Sequence, residues 1–333
     1  MTDAPLPAGK LAAPLLRRLL GAHARPAADV LLPPGIGEDA AVLAVGDGAL
    51  AVATDPITLT GREIGGHAVV INANDVAVMG IRPRWFLAVL LLPRGSTEAE
   101  VAAIFDDMRQ ALDRLDVVLV GGHTEITAAV SQPVVVGQML GFAADGRFVR
   151  TGGLAPGDAV LQVGPAPVEG TAVLANEAAA RLGGLAPELL AEAHAAVVEP
   201  GISVVGPALL AADLGASSLH DPTEGGLSAG LWEMAEASGL ALTVDPAAAL
   251  WYPPGLAVCR ALGADPWGTL ASGALLAGFA RDRVADVRAA LHAAGHATAL
   301  LARAEAGSGV AARNGKPFRR YEQDELSRVL AES

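Results

Sequence analysis

The chain has 333 residues, of which 52% are apolar and only 4% aromatic, and its formal charge is −13. That length exceeds one ordinary core and predicts two domains of roughly 150 residues each. The acidic balance excludes a phosphate-backbone partner, which needs clustered Lys and Arg, and suits divalent cations; the single cysteine, Cys259, excludes an intrachain disulfide and a thiolate-rich metal site.

The N-terminal stretch Met1 to Leu20 holds Pro5, Pro7 and the pair Arg17-Arg18. It lacks the long apolar run of a signal peptide or membrane span, so the expectation is a cytoplasmic protein with no membrane contact. Leu11, Leu15, Leu16, Leu19 and Leu20 predict a helix over 11–24, followed by an irregular Pro-rich loop through Gly37. Residues 42–45 and 50–53 read as a hairpin about the turn Gly46-Asp47-Gly48, with Thr54-Asp55-Pro56 directly after it.

A buried helix is expected over 64–79, ended by Gly80, then a strand over 85–92 and an amphipathic helix over 97–115. Strands follow at 116–120, running into Gly121-Gly122, and at 133–142. This order, β-β-α-β-α-β-β, is an α+β pattern. The Gly-rich stretch 145–158 marks a boundary between domains 1–150 and 151–333. Beyond it a strand at 159–163, helices near 170–182, 187–197, 202–214 and 225–238, and strands near 240–244, 273–279 and 296–301 give a second α/β layer. The polar tail after Gly307 reads as peripheral.

Five polar insertions interrupt these apolar elements. Glu38 and Asp39 follow the turn Gly35-Ile36-Gly37, whose free N–H groups could face a phosphate while the carboxylates hold a metal; a solvated acidic turn explains the pair as well. Asp55 stands at a strand end, where open sheets bind ligands. Asn72, Asn74 and Asp75 fall inside an otherwise apolar helix, with Asn72 and Asp75 on one face, and need partners there, from the local backbone or from a ligand.

Gly121, Gly122, His123, Thr124 and Glu125 carry a buried strand into a loop. The glycines would let a ligand approach the backbone, and His123 and Glu125 are candidate participants, although a lone histidine is more often structural. Asp221, Thr223, Glu224 and Gly225 precede a helix, and Thr223 or Glu224 is a candidate cap for it. Five polar turns at the ends of apolar elements jointly point to a metal–phosphate site without a Walker loop.

Together these segments resemble the superfamily of aminoimidazole ribonucleotide synthetase, thiamine-monophosphate kinase, selenophosphate synthetase and the hydrogenase maturation factor HypE. Residues 74–83 (Asn-Asp-Val-Ala-Val-Met-Gly-Ile-Arg-Pro) and 220–227 (His-Asp-Pro-Thr-Glu-Gly-Gly-Leu) are most similar to the HypE branch, and Gly37-Glu38-Asp39-Ala40-Ala41-Val42 also resembles thiamine-monophosphate kinase.

The resemblance implies a PurM-like two-domain fold: an N-terminal mixed sheet with helices that forms a barrel in a homodimer, and a C-terminal α/β domain that completes the site. It implies an ATP- and Mg²⁺-dependent enzyme that phosphorylates or activates an oxygen of a small-molecule substrate. By position, Glu38, Asp39, Asp55 and Asp75 would hold metal, Asn72 would orient phosphate or water, and Asp221, Thr223 and Glu224 would reach over from the second domain. Gly35, Gly37, Thr54, Gly121, Gly122, Thr124 and Gly225 would line the nucleotide, with Asp75, Asn72, His123 and Glu125 about the reacting groups.

Two departures stand out. His123 occupies the place of an acid in related proteins, and the terminal cysteine of HypE-like chains has no counterpart in Leu330-Ala331-Glu332-Ser333. The expectation is therefore phosphotransfer to a small molecule and not to a terminal thiol. A thiamine-monophosphate kinase and a non-catalytic ATP-binding assembly or sensor protein remain the alternatives.

Overall fold

The computed structural model describes residues 10–58, 63–321 and 323–331. Helix α1 (Ala13–His23) leads to strands β1 (Val30–Leu32), β2 (Ala41–Val45) and β3 (Gly48–Ile57), helix α2 (Ile64–Ala77), β4 (Pro83–Pro93), α3 (Glu98–Leu115), β5 (Val118–Thr127) and β6 (Val134–Ala143). These strands form one sheet in the order β1-β2-β3-β6-β4-β5, antiparallel except for the β4–β5 pair, which α3 joins as a crossover. Thr97 and Glu100 close a capping box that starts α3.

The second sheet, β12-β9-β11-β7-β10-β8, is built from β7 (Ala159–Val163), β8 (Ser218–His220), β9 (Ala241–Val244), β10 (Leu275–Phe279), β11 (Thr298–Glu305) and β12 (Gly309–Ala312). Helices α4 (Glu169–Glu177), α5 (Pro187–Ala195), α6 (Val205–Asp213), α7 (Gly226–Ser238), α8 (Pro253–Leu262), α9 (Val284–Ala293) and α10 (Glu325–Ala331) surround it. The mixed α/β expectation for both halves holds. One core runs from the first sheet and α2 through α6 to β7 and β10, so the halves share apolar contacts.

Several expectations need correction. Residues 30–32 pair with β2 as a strand although the Pro-rich run reads as loop. Asp55 lies within β3, which continues to Ile57 through its pairing with β6. Strand β5 does not stop at Val120 but runs to Thr127 along β4, and it is an exposed edge. The tail is not peripheral: β12 extends the second sheet, and α10 buries Leu326 and Val329. Helices α8 and α9, absent from the sequence reading, form because Val258, Leu262, Val287 and Leu291 are buried.

Candidate active site

Helix α2 carries the anomaly that the sequence displays, and the structure separates its three polar residues by task. Asn72 accepts from the backbone N–H of Asp55 at 2.8 Å and donates to the carbonyls of Asp55 (3.2 Å) and Ala68 (2.8 Å). Its amide thus holds β3 at Asp55. Gly137 on β6 lies against this amide, and a Cβ there would collide with it. Asn74 reaches into the second half of the chain, donating to the Ile202 carbonyl (2.9 Å) and accepting from Val204 N–H (2.8 Å). Asp75 is left facing other acids.

Those acids come from both halves. Asp75 is 6% exposed and its carboxyl is held well above the usual range, by burial first and then by repulsion from Asp221, Asp55 and Asp39. Asp55 is pushed up to about 6 by burial, with Lys10 opposing and Glu224 and Asp39 adding to the rise. Asp221 is 1% exposed, its pKa is raised by burial and Asp39, and neither of its carboxylate oxygens has a hydrogen-bond partner. A buried carboxylate without a partner is costly and points to a ligand.

A polar frame surrounds the cluster. His220 lies between Asp39 (Nδ1–Oδ2, 2.9 Å) and Glu233 (Nε2–Oε2, 3.0 Å). Burial works against its charge, but the two acids outweigh this and hold its pKa well above the ordinary histidine value. Glu233 is correspondingly low, at about 2, with burial opposing and His220 dominating. Asp39 also accepts from Thr151 Oγ1 at 3.1 Å. Lys10 contacts Thr223 Oγ1 (3.0 Å) and Glu224 (2.9 Å); burial disfavours its charge, and Glu224, Glu233 and Asp55 together raise its pKa.

Other sequence candidates fall elsewhere. Glu38 accepts from the N–H groups of Thr151 (3.1 Å) and Gly152 (3.3 Å) and meets Arg150 at 3.3 Å, so it clasps the two halves together. Thr54 donates to the Gly137 carbonyl at 2.8 Å. Thr223 and Glu224 do not cap α7, whose preceding Gly225 offers no side chain; Gly225 N–H instead donates to Asp324. Gly35 and Gly37 lie in the loop beside Glu38, where Gly37 abuts Glu233.

Gly121, Gly122, His123, Thr124 and Glu125 all lie on β5. The register row Asp55–Gly137–Ala88–Gly122 sets them three strands from Asp55, ~14 Å at ordinary strand spacing. His123 and Glu125 touch each other at 3.3 Å and are exposed, so within one chain they do not join the cluster. Gly122, at φ +148°, is demanded by the neighbouring Ala88 carbonyl. Cys259 is buried and its thiol is pushed up to about 11 by burial, which removes it as a nucleophile. The sequence offered no signal for Lys10 or Glu233, which look like ordinary surface charges.

No three His, Cys, Asp or Glu side chains among the described residues form a ready metal cage. A nucleotide-bound Mg²⁺ asks for less, since it takes one or two carboxylates and completes its shell with phosphate and water. Asp221, unpartnered beside Asp75, Asp55 and Asp39, fits that demand.

The family model described as AIR synthase related protein, N-terminal domain, matches residues 37–143, and its C-terminal counterpart matches 155–313. The chain belongs to the AIR synthase related family. Within it, this AIR synthase related protein stands on the HypE branch: it is 30% identical to carbamoyl dehydratase HypE of Rhodobacter capsulatus over 248 residues, covering 71% of this chain and 70% of that one.

Its fold, PurM-like with two domains, is shared with solved structures. A hydrogenase maturation protein HypE in complex with ATP superposes with a TM-score of 0.70 at 23% identity, covering 96% of this chain and 97% of that chain. The structure described as AaThiL complexed with AMPPCP and TMP gives 0.71 at 17%, covering 92% and 94%.

Proposed function

We propose that this protein is a Mg²⁺- and ATP-dependent enzyme that activates an oxygen of a small molecule by phosphorylation. The observation that carries the reading is Asp221, a buried carboxylate from the second half with both oxygens unpartnered, facing Asp75, Asp55 and Asp39 from the first. The nucleotide complexes of related folds and the carbamoyl dehydratase name of a 30% identical relative support it.

In this reading Asp221 and Asp75 would hold Mg²⁺, which would supply charge neutralisation for the phosphates, with Asp55 and Asp39 beside them. The remaining groups of the chain position and screen. Asn72 fixes Asp55, His220 orients Asp39 and stays charged against Glu233, and Lys10 supplies a cation at the rim beside Thr223 and Glu224. Glu38 and Asn74 keep the halves at the spacing the cluster needs.

A homodimer completes the proposal. The sheet face opposite α2 carries the partly buried Trp85, Leu87, Val89, Leu91, Val136 and Leu140, and the edge strand exposes Val118 and Val120 at 59% and 53%. A second copy laid on this face would cover an apolar surface and an open edge together. Among the described residues no single helix is long and apolar enough to cross a membrane, in keeping with a cytoplasmic enzyme. The test is calorimetric titration with ATP, with and without Mg²⁺, followed by phosphate release; absence of Mg²⁺-dependent binding overturns the reading.

A further inference from the structure

With both carboxylate oxygens unpartnered, Asp221 has no side-chain bond to fix it. Its place depends on the backbone of residues 221–225, which joins the three-residue edge strand β8 to α7 and also presents Thr223 and Glu224. At one point of that stretch the Thr223 carbonyl accepts from Gly226 N–H (3.0 Å) and Ala271 N–H (3.2 Å). At the next, Gly225 turns through the left-handed region at φ +81°. Its N–H donates at 2.6 Å to Oδ2 of Asp324, 99 positions further along the chain.

Asp324 meets this backbone from a fixed base. It is 6% exposed, and its other oxygen accepts from Leu326 N–H at 2.7 Å, so one carboxylate serves both the start of α10 and the entry to α7. Leu326 and Val329 are fully buried against Val173, Leu174, Val258 and Leu262. Glu325 accepts from Asp265 N–H at 3.1 Å, and the Tyr321 hydroxyl donates to the Asp265 carboxylate. Ser228, in the first turn of α7, donates to the Arg319 carbonyl. Arg319, Tyr321 and α10 are thus bound into the second half of the chain.

The bond to Gly225 is of the stronger kind, because an ionised acceptor on a backbone N–H forms a shorter and firmer bond than a neutral one. A carboxylate that served only to start α10 would need the Leu326 bond alone. The second oxygen is what reaches the site.

We propose that Asp324 is a positioning residue of the candidate site: it holds Gly225, and through Gly225 the backbone that presents Asp221 to the metal. Its effect on Mg–ATP rests on the reading above; its hold on residues 221–225 does not. The side chain acts from behind the segment and is not itself a metal ligand.

The test compares the full chain with Asp324→Asn, whose amide has one oxygen for two N–H donors, and with Val329→Ala, which thins the packing of α10 without touching Gly225. Measurements are made at pH 8, above the value of about 7 to which burial pushes the Asp324 carboxyl against the opposing Gly225 and Leu326 N–H groups. Hydrogen exchange across residues 223–226 should be about 10-fold faster in Asp324→Asn and unchanged in Val329→Ala, although the latter melts lower. The gain in ATP affinity brought by Mg²⁺, from calorimetry with and without the ion, should fall about 10-fold in Asp324→Asn and persist in Val329→Ala. Ser228→Ala cuts the companion tie to Arg319 and should move both readouts in the same direction, which keeps the test open should Asp324→Asn not fold.

Unchanged exchange in Asp324→Asn overturns the proposal, and a lost Mg²⁺ gain without faster exchange reduces Asp324 to a remote charge. Faster exchange with an undiminished gain makes the bond structural only, as does an equal loss in Val329→Ala. A parent chain with no Mg²⁺ gain removes the Mg–ATP reading instead, and the exchange rates then decide the hold on Gly225 by themselves.

Discussion

The acidic cleft and the edge strand β5 carry the same signature in sequence, polar residues interrupting an apolar element, and end in opposite environments. Asp75 and Asp221 are drawn from α2 and the segment after β8 into a dry cluster, where charge is expensive without a ligand. His123 and Glu125 stand in solvent and satisfy each other. The difference teaches that a polar interruption marks a site only when the topology makes several of them converge, because burial is what turns a carboxylate into an anomaly.

The sharpest way to break the contrast is Asp221→Asn or Asp75→Asn. Each should weaken Mg–ATP binding about 100-fold, ~2.7 kcal/mol, while the metal-free protein melts no lower, because each change relieves repulsion among buried acids. Calorimetry paired with thermal melting reads both; a variant that binds Mg–ATP normally takes its residue out of the site.

Asn74→Ala should cost on the order of 1–3 kcal/mol of stability, since it strands the Ile202 carbonyl and Val204 N–H at a buried contact between the halves. Urea denaturation with an unchanged slope would register it. A midpoint equal to that of the parent protein would show that the clasp is dispensable.

Acidity sharpens the comparison further. Asp55 titrates at about 6 in the fold against 3.8 as its ordinary value, so the native state binds more protons than the unfolded one between these values. Metal-free stability should therefore rise as pH falls from 7 towards 5. It should fall again below about 3.8, where Asp55 is protonated in both states while Glu233, held at about 2 by His220, still takes up its proton in the unfolded chain only. Mg–ATP affinity should run the other way, strengthening as pH rises through about 6. A metal-free stability flat across this range would show that burial does not raise the Asp55 carboxyl in the fold.

The edge strand gives the smallest effects on the folded chain. His123→Ala and Glu125→Ala should change stability by less than about 0.5 kcal/mol, as exposed positions do. Val120→Lys on the same strand should leave the melting temperature in place and shift the sedimentation coefficient from dimer to monomer. An unaltered sedimentation profile would move the interface off this edge.

Much of the fold was legible in the chain. Helix α3 announced itself through its capping box and amphipathic spacing, α2 through an apolar run ended by Gly80, and the β2–β3 hairpin through Gly46-Asp47-Gly48. Strand β1 was hidden among prolines, and α8 and α9 because their short patterns make sense only against the second sheet. In the site, Asp39, Asp55, Asp75 and Asp221 stood out as acids at the margins or within apolar elements, which local pattern can show.

Sequence alone thus determined the longer elements and which acids are out of place, because propensity, capping and apolar period act over a few residues. Only the tertiary structure decided which of those acids meet. It gave Asn72 and Glu38 to the scaffold, left Asp221 without a partner, brought in Lys10 and Glu233 from segments without a signal, and set β5 three strands away. Strand order and the packing of one half on the other are long-range facts, and the charge of a buried group depends on neighbours that lie far away along the chain.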